Sequence, residues 1–469
     1  MSSSLGVQLV TWSGTIIVMR FLLPEDYGVL TAGSILLNLG DQLSEIGIGR
    51  ALVRKPELEP GDLDEAFTLG AIFSAAIYGL IFLASVPAGI YFRNPAVPGF
   101  LQVAALAILL TPFRSVGMAL LERQLRFDLL SAIQVVTALV QAVLVLILAY
   151  GGWGYWSMAI GMLAARSVAT VAMFGWTNWR PKFRRLGRTS SYLIRFGANA
   201  TGSILCWQIY STMDYLILGR VADPIILGYY TVGFTLMTMP VDRLTMACTR
   251  VSTPILSRLQ HDPQRMWDWY LRLTGLVALV ALPTLVGMVL VASDAIPLIL
   301  GEKWRPSILS FQILSVAGAV MAVANPLTTM LNILNRPELN FKFAFVCLVV
   351  MAPAFALLGS AYGAVGIALA WSVFFPILAF GRIELVRPVT GMSLAKFLGA
   401  LAPAVRGLLV MVPLVLLANA LVGGAGSSWL RLVIGVGTGI LGYSAAIWTF
   451  EQSTVVSDLR IAMREFRSR

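Results

Sequence analysis

The chain has 469 residues, 58% of them hydrophobic and 12% charged, with a net charge of +11 and a mean hydropathy of +0.81. Soluble domains run at about 45–50% apolar and about 25% charged. Charge at half the usual level excludes a water-soluble, secreted globular, disordered or fibrous chain and leaves a polytopic membrane protein.

A helical span needs about 20 mostly apolar residues. On that rule the sequence predicts an all-α polytopic membrane protein of about 14 transmembrane helices. They begin near Leu5, Gly28, Glu65, Pro98, Asp128, Gly154, Tyr192, Ile225, Leu271, Pro306, Phe341, Gly363, Phe397 and Trp429. The separators PEDYG, RNPAVPG, YGGWG, VADP and VGGAGSS carry turn chemistry, and the runs lack the alternation of barrel strands. The opening MSSSLGVQLVTW has no basic lead-in and no small-residue cleavage site, so no cleavable signal peptide is expected. Prolines inside spans, Pro240 and Pro283 among them, mark kinks or hinges.

Lysine and arginine set the orientation. Arg50, Arg54, Lys55, Arg123, Arg126, the loop WRPKFRRLGRTS and the tail Arg460, Arg464, Arg467 and Arg469 fall on one side, while Arg20, Arg93, Arg220, Lys303, Arg305 and Arg431 fall on the other. The first side is therefore expected to be cytoplasmic, with both termini inside a bacterial cytoplasmic membrane. The +11 is read as this topology and as contact with anionic lipid, not nucleic acid. In the tail, Leu459, Met463 and Phe466 share a helical face, as an amphipathic helix on the inner leaflet would have it.

Arg20, Pro24 and Gly28 recur as Arg220, Pro224 and Gly228, and Ile17, Thr31, Gly33, Leu36 and Arg50 as Ile217, Thr231, Gly233, Leu236 and Arg250, at one spacing without a gap. The glycine, proline and arginine matches weigh most, because apolar composition cannot supply them. An even number of spans separates the copies, so this is a parallel repeat. The expected organisation is a six-helix lobe (1–179), a basic cytoplasmic linker (180–191), a second six-helix lobe (192–385), an extra helix pair (386–450) and a cytoplasmic amphipathic tail (451–469). Repeated halves of this kind place a substrate between them, which points to a transporter.

Charges at membrane depth narrow the chemistry, since each is costly in hydrocarbon. Arg166 lies near the middle of its span and faces either a substrate or an acid on a neighbouring helix. Asp41 and Glu45, four apart, share one face of a polar span with Asn38 and Gln42. Asp214 and Asp242 lie inside the first two spans of the second lobe. Arg20, Arg50, Arg114, Arg166 and Arg220 are the candidate substrate-binding residues, because guanidinium is the side chain of choice for phosphate. Asp41, Glu45, Asp214 and Asp242 are candidates for balancing those cations or for taking up a coupling proton or sodium ion; the residues leave the two roles open. Trp304 in LGEKWRP is a candidate lid and Arg406 a snorkelling cation. Cys206, Cys248 and Cys347 stand singly and His261 is the one histidine, so no disulfide framework, metal site, cofactor or catalytic residue is expected.

The segments RFLLPEDYGVLTAG, EIGIGRALVRKPEL, LLERQLRFDLL, YGGWGYWSM, MDYLILGRVADPIILGYYTVGFTLMTMP, VSTPILSRLQHDP, LILGEKWRPSILSFQIL and NILNRPELNFK occur in an order that resembles Wzx-type polysaccharide flippases. The resemblance covers about residues 5–385 and is to the polysaccharide transport (WzxC-like) branch of the superfamily that also holds multidrug extruders and lipid II flippases. It implies translocation of undecaprenyl-diphosphate-linked oligosaccharide to the periplasmic leaflet by alternating access. It also implies two lobes about a cationic cavity, with Arg20, Arg50, Asp214, Arg220 and the polar span face at matching positions, and an extra helix pair that helps house the lipid tail. Polysaccharide polymerase and glycosyltransferases are the partners it suggests. A multidrug or cation antiporter is the alternative, and it calls for an acid-rich pocket. An enzyme on the same lipid calls for a large loop with positioned bases, and the chain offers none.

Overall fold

The computed structural model describes residues 14–45, 47–59, 61–177, 179–260, 262–391, 393–422 and 427–467. All regular structure among them is helical. In chain order the helices are α1 (14–21), α2 (Pro24–Glu45), α3 (Ile48–Arg54), α4 (Asp62–Tyr91), α5 (Ala96–Ala104), a 3-10 stretch (Ala105–Leu110), α6 (Thr111–Arg123), α7 (Phe127–Tyr150), α8 (Trp156–Trp176) and α9 (Arg188–Val221). There follow α10 (Pro224–Arg258), α11 (Pro263–Leu300), α12 (Ser307–Ala324), α13 (Pro326–Ile333), α14 (Pro337–Thr390), α15 (Leu394–Val422) and α16 (Ser428–Arg467). Ten helical stretches among the described residues are long and apolar enough to cross a membrane, and large apolar side chains such as Leu83, Ile90, Leu357, Leu421 and Leu441 face outward. This is the inverted surface of an all-α polytopic membrane protein.

Local sequence explains the breaks. α2 starts on Pro24, and Asp26 reaches back to accept the Leu23 N–H at 2.9 Å, satisfying a donor the helix cannot. Its other oxygen accepts from Tyr155 N at 2.9 Å, pinning the YGGWG turn. The single long element α14 is two spans joined where Gly363 takes φ 58, ψ −134, a backbone state open to glycine, and Gly363 is where a new span was expected. The start of the first span, the turn at 423–426 and His261 lie outside the described residues. α16 stays helical to Arg467 through the expected amphipathic tail, but its side chains there lie outside the described residues.

The chain forms two compact units, 1–228 and 229–469. In the first, α2 packs on α4, α5 and α9, α3 on α6, and α7 on α8. Ile48, Leu52, Phe67, Leu69, Val116 and Leu193 make one apolar core, and Leu121, Leu130, Ile133 and Met173 a second. The basic linker is folded onto the acidic first turn of α4. Glu65 accepts from Gly187 N and Ser190 N, both at 3.1 Å. Asp62 accepts from Thr189 Oγ1 at 2.5 Å and Lys55 Nζ at 2.6 Å. In the second unit, α11 packs on α12, α15 and α16, and α12 on α14, around buried Trp304, Tyr270, Phe311, Phe355 and Phe397.

Two helix ends share one backbone pattern. At the end of α6 the N–H groups of Gln124, Leu125 and Arg126 bond to the carbonyls of Leu120, Glu122 and Leu121. At the end of α13 those of Leu334, Asn335 and Arg336 bond to Met330, Asn332 and Leu331 in the same pattern. The left-handed residue of this helix stop is Leu125 (φ 55) in one copy and Asn335 (φ 56) in the other. Each stop is followed by a short-range ion pair, Arg126–Asp128 and Arg336–Glu338. The span carrying each stop is also broken, by the 3-10 stretch before Thr111 in one and at Asn325–Pro326 in the other.

Candidate functional site

The polar face of α2 meets α8 and the broken fourth span inside the first unit. Arg166 of α8 donates from both terminal nitrogens to Asp41, at 2.6 and 2.8 Å. That two-pronged geometry is the strong form of an arginine–carboxylate pair. Thr111, the first residue after the 3-10 stretch, adds a hydrogen bond to Asp41 at 3.3 Å. The break in the span is what places a hydroxyl there. Both charged side chains keep about a quarter of their exposure, 23% for Arg166 and 26% for Asp41.

Arg114 sits one turn further along α6 and acts electrostatically on Asp41. It forms no ion pair among the described residues, and its Nε is buried without a hydrogen-bond partner. Glu45, one turn beyond Asp41, also acts electrostatically on Arg166 and forms no ion pair of its own among the described residues. Gln42 bonds to Gln208 of α9 at 2.6 Å, and Asn38 is exposed in mid-helix. The structure thus gathers Asp41, Glu45, Arg114 and Arg166. Two guanidinium groups close to one carboxylate leave an excess of positive charge, the chemistry that suits an anion.

The other sequence candidates lie elsewhere. Arg20 and Arg220 are exposed at helix ends, with Arg220 5.7 Å from the centre of the Tyr91 ring. Arg50 is exposed on α3, Asp214 is fully buried in α9, and Asp242 is exposed on α10. Trp304, expected as a lid, is fully buried beside Tyr229, so it packs the second unit. Arg406, expected to snorkel, is exposed and sits 2.8 Å from buried Glu451.

Three arginine sites escaped the sequence reading. Arg123 donates to the carbonyls of Leu52, Val53, Lys55 and Pro56, closing the end of α3. Arg382 is 6% exposed, bonds to Thr328 and Asn340, and stacks 4.5 Å from the centre of the Phe343 ring. Arg431 pairs with Asp294 of α11 at 2.7 Å, tying down the extra helix pair. In the second unit α11, α15 and α16 also enclose an apolar groove of about 410 Å³ lined by Pro283, Met288, Val291, Met411, Val415 and Ile440. No cluster that could hold a metal ion occurs among the described residues.

The fold is that of a multi-pass helical membrane protein with a charged cluster inside its spans, and solved structures share it. Lipid II flippase MurJ in an inward closed conformation superimposes with TM-score 0.78 at 12% identity, covering 97% of this chain and 98% of that one. An inward-facing multidrug resistance MATE family transporter gives TM-score 0.65 at 14% identity, over 82% of this chain and 94% of that one. Residues 17–309 match the model of the Polysacc_synt_3 family, described as polysaccharide biosynthesis protein. The chain belongs to that family. It is 24% identical over 391 residues to the lipopolysaccharide biosynthesis protein WzxC of Escherichia coli K12, covering 81% of this chain and 78% of that protein. It is also 25% identical to a membrane protein of the cps region of Klebsiella pneumoniae, over 94% and 92% of the two chains.

Proposed function

We propose that this protein moves an undecaprenyl-diphosphate-linked oligosaccharide across the bacterial cytoplasmic membrane for surface polysaccharide synthesis, by alternating access of its lobes. The observation that carries the reading is the Asp41–Arg166–Arg114 cluster, an anion-competent guanidinium site at membrane depth, in a chain of a polysaccharide biosynthesis family. A diphosphate head bearing sugar cannot cross hydrocarbon, whereas its polyprenyl chain need not leave it. The apolar groove beside the extra helix pair suits such a chain. Arg20, Arg50 and Arg220 extend the positive path for the head group. Asp41 balances Arg166, and Glu45, Asp214 or Asp242 takes up the proton or sodium ion of a coupled cycle. The chemistry is transport without bond breaking, and glycosyltransferases supply the substrate while a polymerase consumes it.

Binding of the lipid-linked oligosaccharide to purified protein in nanodiscs tests the reading. Arg114→Ala should weaken binding by roughly tenfold, the worth of a charge-assisted hydrogen bond or two. Binding of lipophilic cations in preference to the diphosphate lipid would favour the antiporter reading instead.

A further inference from the structure

One duplicated feature is not used by the proposed site. α2 and α10 both start on the proline of the repeated motif, Pro24 and Pro224. The segments Pro24–Gly28 and Pro224–Gly228 both belong to the first compact unit. There they cross so closely that a Cβ on Gly28 would fall on the carbonyl of Pro224, and a Cβ on Gly228 on the carbonyl of Pro24. The contact is reciprocal, made by the same two residues of each copy. The atoms in the way are backbone atoms, which cannot swing aside as a side chain can. Glycine alone permits such an approach, leaving Cα–H against a carbonyl oxygen, an arrangement recurrent where helices cross closely in membranes. Glycine is otherwise a poor choice inside a helix. Tyr27 and Leu227, which adjoin the crossing, are buried, and Gly219 lies against the Phe92 ring close by.

We infer that Gly28 and Gly228 are paired positioning residues, a self-complementary clasp that seals the end of the transport path assigned to the outer face and parts when that end opens. This rests on the transport reading above. The substrate has no part in the clasp itself, so the helix starts can be followed without it.

The test uses the full chain in liposomes, with Cys206, Cys248 and Cys347 replaced by Ala. Spin labels on Glu25→Cys and Ile225→Cys, both exposed beside the crossing prolines, report the separation of the two helix starts. With both glycines present a close population is expected. Gly28→Ala or Gly228→Ala should lower the ratio of close to separated molecules by roughly five- to a hundredfold, the range for overpacking against fixed atoms. Gly79→Ala, at a helical glycine with nothing within 4 Å of its Cβ position, should leave the ratio unchanged, although it raises helix propensity equally. An unchanged close population in both clasp variants overturns the inference. Where those variants do not accumulate, the labelled pair in the glycine background decides. Joining the two cysteines with a reducible cross-linker should stop export of the lipid-linked oligosaccharide and reductant should restore it. Full export through the closed cross-link also overturns the clasp. If the unlinked protein exports no such lipid, the transport reading falls while the label distances still judge the clasp.

Discussion

Arg166→Ala removes both strong donors from Asp41 and leaves its carboxylate with Thr111 at 3.3 Å. Stripping one partner from a fully buried ion pair costs about 3–5 kcal/mol, whereas an exposed pair is worth about 0–1 kcal/mol. With side chains 23% and 26% exposed, this pair falls between, at about 2 kcal/mol, or a factor of about 30 in the folded ratio. Asp41→Ala strands the guanidinium at similar cost. The double variant should lose little beyond either single, a coupling of about 1–2 kcal/mol. Unfolding in mixed micelles of rising SDS fraction, followed by tryptophan fluorescence, measures all four corners of the cycle. Single losses that simply add in the double variant would refute the pairing and with it the proposed wall of the site.

Leu125 holds a left-handed backbone that costs an L-residue about 1–2 kcal/mol. Leu125→Gly should therefore stabilise the first unit by about 0.5–1 kcal/mol in the same assay, after the entropy that glycine adds to the unfolded chain. Asp294→Ala or Arg431→Ala should free the extra helix pair from α11 and speed proteolysis in the turn before α16, with the double variant no faster than the singles. Gly439→Trp, which fills the groove against Val415, should impair export of a full-length polyprenyl substrate more than that of a short-chain analogue.

The apolar runs and the helical class were legible because membrane burial imposes length and hydropathy on each span. The recurrence of proline, glycine and arginine in register was legible as a sequence match. Depth along a span was legible too, which is why Arg166 and Asp41 stood out. Which way each pointed was not, since spacing alone cannot distinguish a neighbouring acid from a substrate, and the partner lies on a helix far away in sequence. Thr111 joined the site through a 3-10 break that hydropathy does not register. Trp304 read as a lid because aromatic residues near span ends usually sit at the interface, yet a whole indole can also fill a core. Arg382 was not legible as a buried cation, because counting charges by side ignores whether a span end is covered by its neighbours. Gly28 and Gly228 were visible as a match, but that the two copies touch follows only from three dimensions.

Transport itself is the most direct measurement. Purified protein in sealed liposomes, loaded with a labelled undecaprenyl-diphosphate oligosaccharide in one leaflet, should carry the glycan to the opposite leaflet at a rate above protein-free vesicles. Arg114→Ala should slow that rate at least tenfold while the protein folds and inserts normally. Equal rates for protein-containing and protein-free vesicles, or full activity without the Arg114 guanidinium, would contradict the account.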